Sequence, residues 1–247
     1  MSTSAEMSPE TPPGAPDPVI HIVDDDGAVR TALSRVLRAE GYAVEPHSGA
    51  AAFVAALEGN DGPGCAVFDL QMPETGGLEL QRMLETRGVD LPVIFLTGHG
   101  DVASCVEAMK LGAVDFLEKP VQAAELFAAV DRALALDRQR RAAVDARALR
   151  DSLLSRLTPR EAEVMERIVT GRLNKQIAGD LGISEKTVKV HRQRVMHKLE
   201  VRTLAELVGL VLRHQEPEQA PRASADGGAE PSDDREMRRR GSAGGKA

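Results

Sequence analysis

The chain has 247 residues, a formal net charge of −7, two cysteines and no tryptophan. That length allows one or two domains with sizeable cores, and two cysteines are too few for a disulfide framework. No apolar run approaches the roughly 18 residues that cross a bilayer, and the N-terminus lacks the basic start and apolar core of a signal peptide. These features argue against a secreted scaffold and a membrane protein, and a soluble cytoplasmic protein without a membrane partner is expected.

The charge is unevenly spread. Residues 18–136 carry 8 Lys/Arg against 18 Asp/Glu, whereas residues 156–214 carry 12 against 7. An acidic module followed by a basic one suggests different partners, the second of them polyanionic. Residues 1–17 and 215–247 are rich in Pro, Ser, Gly and charge and poor in apolar side chains, so both read as disordered tails. The run Arg238–Arg240 in the second tail reads as a solvated segment rather than a nucleic-acid contact.

In chain order, VIHIV (19–23), YAVEP (42–46), CAVF (65–68), PVIFL (92–96) and AVDFL (113–117) read as five strands. Between them lie helical patterns. Val29, Leu33, Val36 and Leu37 form one apolar stripe that stops before Gly41, and Leu126, Val130 and Leu134 form another. Strict alternation of strand and helix predicts a doubly wound α/β domain over 18–136, with a parallel sheet covered on both faces. The Arg/Ala-rich stretch 137–155 reads as a helical linker. Over 156–214 the strands cease and four helices follow. Thr158-Pro159-Arg160-Glu161 is a capping box with proline at the first helical position, opening a helix that runs to Gly171.

Ligands of parallel α/β sheets bind at the carboxyl ends of the strands. There the first strand ends in Asp24-Asp25-Asp26, the third in Asp69, the fourth in Thr97 and the fifth in Lys119-Pro120. Each has an ordinary reading when taken alone: Asp26 as a helix cap, Thr97 as a turn residue, Lys119 as a surface cation. Taken jointly, clustered carboxylates form a hard oxygen site suited to Mg2+, which relieves their mutual repulsion. An ionised aspartate beside such an ion can attack phosphorus and form an aspartyl phosphate, with a hydroxyl and an ammonium binding the phosphoryl oxygens. Asp69 is the candidate acceptor.

The segments HIVDDD, VFDLQMPETGG, LTGHGD and AVDFLEKP resemble the receiver domain of two-component response regulators, close to the FixJ group, and the resemblance spans 18–136. It implies a flavodoxin-like five-stranded sheet of order 2-1-3-4-5. It also implies that Asp69 takes a phosphoryl group from a sensor histidine kinase. Asp25 would ligate Mg2+ directly, Asp24 through water, and Gln71 through its backbone carbonyl, with Asp69 completing the metal set. Thr97 and Lys119 would contact the phosphoryl oxygens, Lys119-Pro120 would be cis, and Phe116 would fill the switch-aromatic position. Phenylalanine there lacks the tyrosine hydroxyl common in the family, so only the packing part of that switch carries over.

In the basic module, Asn174–Leu181 reads as a two-turn helix with Ile177, Ala178 and Leu181 inward. Gly182 breaks it and Ser184 caps the next helix, Glu185–Leu199, whose Val188, Val195 and Leu199 form a core face. Lys186, Lys189, Arg192, Gln193, Arg194 and His197 cover the other sides, in keeping with either phosphate and base contacts or a solvated basic face. The stretch 156–212 resembles the LuxR/NarL-type output domain. That resemblance places groove-facing residues at Lys189, Val190 and Gln193, backbone contacts near Lys175 and Lys186, and His191 toward the packed side. Thr203–Glu206 would cap a fourth helix that serves the family as a dimer face.

The two resemblances together imply a non-enzymatic, phosphorylation-controlled transcription regulator that dimerises and binds double-stranded promoter DNA, with RNA polymerase a further candidate partner. Two rivals stand beside it. Mg2+-dependent phosphatases also use an aspartyl nucleophile, but they place a second acid two residues later, where this chain has Gln71. The other rival is a constitutive DNA binder whose receiver serves only as a phosphate-independent interaction module. Cys105 reads as a filler rather than a redox sensor, and His197 and His214 lack the spacing of a zinc site.

Overall fold

The computed structural model describes residues 16–57, 62–98 and 102–212, with backbone alone at 102–105. Residues 1–15 of the first tail, the whole second tail, His214 and the Cys105 side chain lie outside the described residues. The chain divides into two compact units that part between Ser152 and Leu153.

The first unit alternates strand and helix: β1 (Val19–Val23), α1 (Gly27–Ala39), β2 (Ala43–His47), α2 (Ala50–Leu57), β3 (Gly64–Asp69), α3 (Gly77–Thr86), β4 (Val93–Thr97), α4 (Val102–Lys110), β5 (Asp115–Glu118) and α5 (Ala123–Ser155). All strand pairs are parallel and the order is β2-β1-β3-β4-β5. β3 and β4 are buried at every residue, as expected of inner strands covered on both faces. Pro46, which has no N–H to give, sits on the edge strand β2.

Two apolar layers hold the sheet. On one face Ile20, Ile22, Val44, Val67 and Ile94 pack under Leu33 and Leu37 of α1 and Leu126, Ala129, Val130 and Ala133 of α5. On the other, Val23, Phe68 and Phe95 meet Phe53 of α2, Leu80 and Leu84 of α3 and Ala108 of α4. Four phenylalanines form a row across this second face, with ring centroids 5.2 Å apart for Phe53–Phe68, 6.1 Å for Phe68–Phe95 and 6.4 Å for Phe95–Phe116. The first two contacts are edge-to-face, an arrangement that contributes beyond its buried area, and the third is tilted. The α1 stripe differs from the expected one: Val36 is exposed and Val29 only half-buried, while Ser34 is buried between Leu33 and Leu37.

Residues 137–155 are helical but are not a separate element; they continue α5, which contains neither glycine nor proline to interrupt it. Asp137 is buried rather than part of a solvated linker. Its carboxylate accepts the Gly64 N–H at 3.0 Å and the Arg141 Nε–H at 3.0 Å, anchoring the start of β3 at the sheet's amino end.

The second unit holds α6 (Pro159–Val169), α7 (Asn174–Leu181), α8 (Glu185–Lys198) and α9 (Leu204–Leu212) around a core of Leu153, Val164, Met165, Ile168, Ile177, Val188, Val195, Leu199 and Leu207. The capping box forms as expected, with the Thr158 hydroxyl accepting the Glu161 N–H and the Glu161 carboxylate accepting the Thr158 N–H at 2.9 Å. The first helix ends two residues before Gly171, at Val169. Gly182 takes the left-handed conformation (φ 63°) that closes α7, and Ser184 then caps α8 through the Thr187 N–H.

Candidate functional site

Because the sheet is parallel, β1, β3, β4 and β5 all end on one side, and their next residues meet there. Asp24 follows β1 and is fully buried; Asp69 closes β3, and Thr97 closes β4 at 1% exposure. Lys119 directly follows β5 and is joined to Pro120 by a cis bond, and its N–H donates to the Thr97 carbonyl at 2.7 Å. The four positions singled out in the sequence are thus brought into one crevice.

The Lys119 ammonium bridges the two buried acids, donating to Asp24 Oδ2 at 2.7 Å and Asp69 Oδ2 at 2.8 Å. Burial alone would lower the pKa of this lysine. Hydrogen bonds from its ammonium to Asp24 and Asp69, and their charges, outweigh that effect and hold it above the ordinary value. Asp24 Oδ1 accepts the Asp26 N–H at 2.8 Å, and Asp69 Oδ1 accepts the Gln71 N–H at 3.2 Å. Local backbone donors therefore orient both carboxylates. Asp25 is exposed, and a carboxylate oxygen from each of Asp24, Asp25 and Asp69 lies within 4.8 Å of the others.

Three acids outnumber the two nearby cations, the Lys119 ammonium and the Arg30 guanidinium, and leave the crevice with unbalanced negative charge. That donor set, all oxygen and open on the Asp25 side, fits a hard divalent cation such as Mg2+. Asp26 is the N-cap of α1, its carboxylate accepting the Ala28 N–H at 2.7 Å, so the ordinary reading holds for that residue. Phe116 lies half-buried against Phe95 at the end of the ring row.

Two supports were not read from the sequence. Arg30 of α1 donates to the Asp24 carbonyl at 2.7 Å, a contact between residues six apart that follows from how α1 folds back on β1. Gly77, first residue of α3, comes so close to Asp69 that an added Cβ would lie 2.4 Å from the Asp69 carbonyl oxygen. The paired glycines after Asp69 were the visible signal; the partner was not.

In the second unit, Lys175, Lys186, Lys189, Val190 and Gln193 are all exposed, while Val188 and Val195 of the same α8 helix are fully buried. Lys186, Lys189, Val190 and Gln193 recur at the three-, four- and seven-residue intervals of one helix face. His191 is turned inward, with its Nδ1 buried. Opposite the exposed face, Lys198 donates to the buried Glu161 carboxylate at 2.6 Å and to the Arg156 carbonyl at 3.0 Å, tying α8 to the start of α6. Those bonds from Lys198, with the Thr158 N–H, pull the Glu161 carboxyl down to about 2. The Thr203 hydroxyl accepts the Glu206 N–H at 3.2 Å and so caps α9 as expected.

Comparison with known proteins matches residues 20–131 to the response regulator receiver domain and residues 155–211 to the bacterial regulatory proteins of the luxR family. The chain is 47% identical over 193 residues to the transcriptional regulatory protein FixJ of Azorhizobium caulinodans, covering 78% of this chain and 91% of that one. It is 43% identical over 196 residues to the response regulator protein TodT of Pseudomonas putida, covering 79% and 86%. Among solved structures, the response regulator StyR superposes with a TM-score of 0.74 at 42% identity, over 80% of this chain and all of that one.

Proposed function

Given that the chain belongs to the two-component response regulators of the FixJ type, with a receiver and a LuxR-type DNA-binding domain, we propose that it is switched by phosphorylation of Asp69. The observation that carries this reading is the Lys119 ammonium held between two buried carboxylates at the strand ends. A resting ion pair of this kind is poised to be rearranged by a new anion.

In the proposed reaction a carboxylate oxygen of Asp69 forms a bond to phosphorus as the phosphorus–nitrogen bond of a histidine kinase breaks, and the imidazole leaves as a neutral ring that keeps the proton on its other nitrogen. Asp24, Asp25, Asp69 and the Gln71 carbonyl would hold Mg2+, which supplies neutralising charge to the carboxylates and the incoming phosphoryl oxygens. Lys119 turns from the Asp69 oxygen to a phosphoryl oxygen, and the Thr97 hydroxyl donates to another. Phe116, beside the ring row, follows the shift of β4 and β5 by packing alone. The phosphorylated form dimerises, and the dimer presents two α8 helices to promoter DNA. Lys189, Val190 and Gln193 read base edges, and Lys175 and Lys186 contact phosphates. The receiver is assigned to 18–136 together with the Asp137–Arg141 anchor, and the output domain to 156–212 together with Leu153.

Intact mass after incubation with a small phosphodonor and Mg2+ tests the acceptor: one phosphoryl group on the native chain, none on Asp69→Asn. Sedimentation and promoter binding of the same samples test the switch. Labelled protein that neither associates nor binds DNA more tightly than unlabelled protein would instead support a phosphate-independent module.

A further inference from the structure

A second group of chemically suited side chains lies at the opposite edge of the receiver sheet. β1 and β2 pair in register, His21 beside Glu45 and Val23 beside His47. Alternation along the strands puts His21, Glu45 and His47 on the face that also carries Val23 and Phe53. Both imidazoles are buried, at 4% and 8% exposure, and each packs edge-on against Phe53 with centroids 5.5 and 5.4 Å away.

The atoms that converge there are all ligand atoms. His21 Nδ1 lies 3.1 Å from His47 Nε2 and 3.6 Å from Glu45 Oε2. A ring nitrogen carries at most one proton, directed at one acceptor, so a single N–H cannot satisfy both neighbours. Ligand atoms about 2.0–2.1 Å from a tetrahedral ion are separated by roughly 3.3 Å, close to both observed spacings. An imidazole nitrogen that carries no proton offers its lone pair to such an ion. Glu45 is about half-exposed (51%) on an edge strand, which gives an ion a route from solvent and lets the carboxylate rotate to close the set.

We propose that His21 Nδ1, His47 Nε2 and a Glu45 carboxylate oxygen form a binding site for a divalent transition-metal ion of the Zn2+ class. Two imidazoles and one carboxylate select such an ion over Mg2+, which prefers the all-oxygen crevice at the strand ends. Binding replaces the hydrogen bond between the rings; the donor ring takes its other tautomer, with no net proton released. The ion ties β1 to β2. Because the Asp24 N–H donates to the His47 carbonyl at 3.3 Å, it also fixes the strand end that carries Asp24.

The test is titration of the full chain with Zn2+ in excess Mg2+, followed by calorimetry, with Co2+ as the optical probe and 15N spectroscopy of the imidazoles. The expected result is one Zn2+ per chain that Mg2+ does not displace, with the His21 Nδ1 and His47 Nε2 resonances shifted. Affinity should fall at least about tenfold in both His47→Gln and Glu45→Ala. Glu45 is exposed, so its variant folds even if His47→Gln does not, and His197→Gln controls for adventitious imidazole binding by retaining affinity. Absence of Zn2+ binding, its displacement by Mg2+, or full affinity in Glu45→Ala overturns the proposal.

Discussion

Replacing Lys119 with methionine removes the cation from between Asp24 and Asp69 while keeping most of the side chain's volume. The ammonium makes two charge-assisted hydrogen bonds, at 2.7 and 2.8 Å, one of them to a carboxylate with no solvent exposure. Each such bond contributes about 1.5–3 kcal/mol, giving roughly 3–6 kcal/mol before the relief of the lysine's own desolvation is subtracted. With the lysine side chain 21% exposed, water and cations reach the crevice, so the expected net loss is about 2–4 kcal/mol without divalent ions. Mg2+ should shrink that loss, because its charge offsets the same carboxylates. Its stabilising effect is therefore larger in Lys119→Met than in the native chain. The only tyrosine, Tyr42, sits in the receiver and there is no tryptophan, so tyrosine fluorescence during denaturant unfolding reports this unit alone. A loss below about 0.5 kcal/mol, or one that Mg2+ leaves unchanged, would show that lysine and metal do not balance the same acids.

Gly77→Ala puts a methyl group 2.4 Å from the Asp69 carbonyl oxygen and 3.0 Å from the Phe95 ring, so the backbone after Asp69 must shift. A stability loss of about 1–3 kcal/mol should be accompanied by slower phosphoryl uptake in a timed mass assay. On α8, Gln193→Ala should cost about 1–3 kcal/mol on the true operator and flatten discrimination against scrambled duplex. Lys186→Ala should weaken both duplexes alike and lower the salt slope by about one unit. Equal losses on both duplexes for Gln193→Ala would contradict base readout by that residue. The Glu161 carboxyl is held at about 2, below its ordinary 4.5, so the ionised form stabilises the folded helical unit. That contribution is complete above pH 4.5 and fades as pH falls from there toward 2. Acid titration by circular dichroism should show a shallower loss over this range in Glu161→Gln.

Five strands were legible because each is a short apolar run closed by turn residues, and the structure places every one within two residues of the expected bounds. Asp24, Asp69, Thr97 and Lys119 were legible because parallel strands deliver their ends to one side, so order along the chain stands in for proximity. What stayed hidden depends on partners far away in sequence. Val36 fits the spacing of the α1 stripe, but the face that α1 lays on the sheet is turned toward Ser34 and leaves Val36 exposed. Asp137 looks like any charge in a solvated helix until Gly64 of β3, 73 residues earlier, is seen to donate to it. His21 and Glu45 stand in register on paired strands, yet neither flanking sequence marks them as neighbours.

The strand order has a consequence for how the receiver is made. β1 pairs with β2 and β3, and β4 and β5 follow singly beyond β3, so from β3 onward the sheet is laid down in the order of synthesis. Asp24 and Asp69 stand side by side through the β1–β3 pair, and both are synthesised well before Lys119. If β1 and β3 pair early, a nascent chain halted before β5 would hold two facing carboxylates without the Lys119 ammonium between them, and the last strand would deliver that charge. Chains stalled on either side of Lys119 should differ sharply in protease resistance at low Mg2+ and much less at high Mg2+. Equal resistance would place the decisive contact elsewhere in β5 or α5.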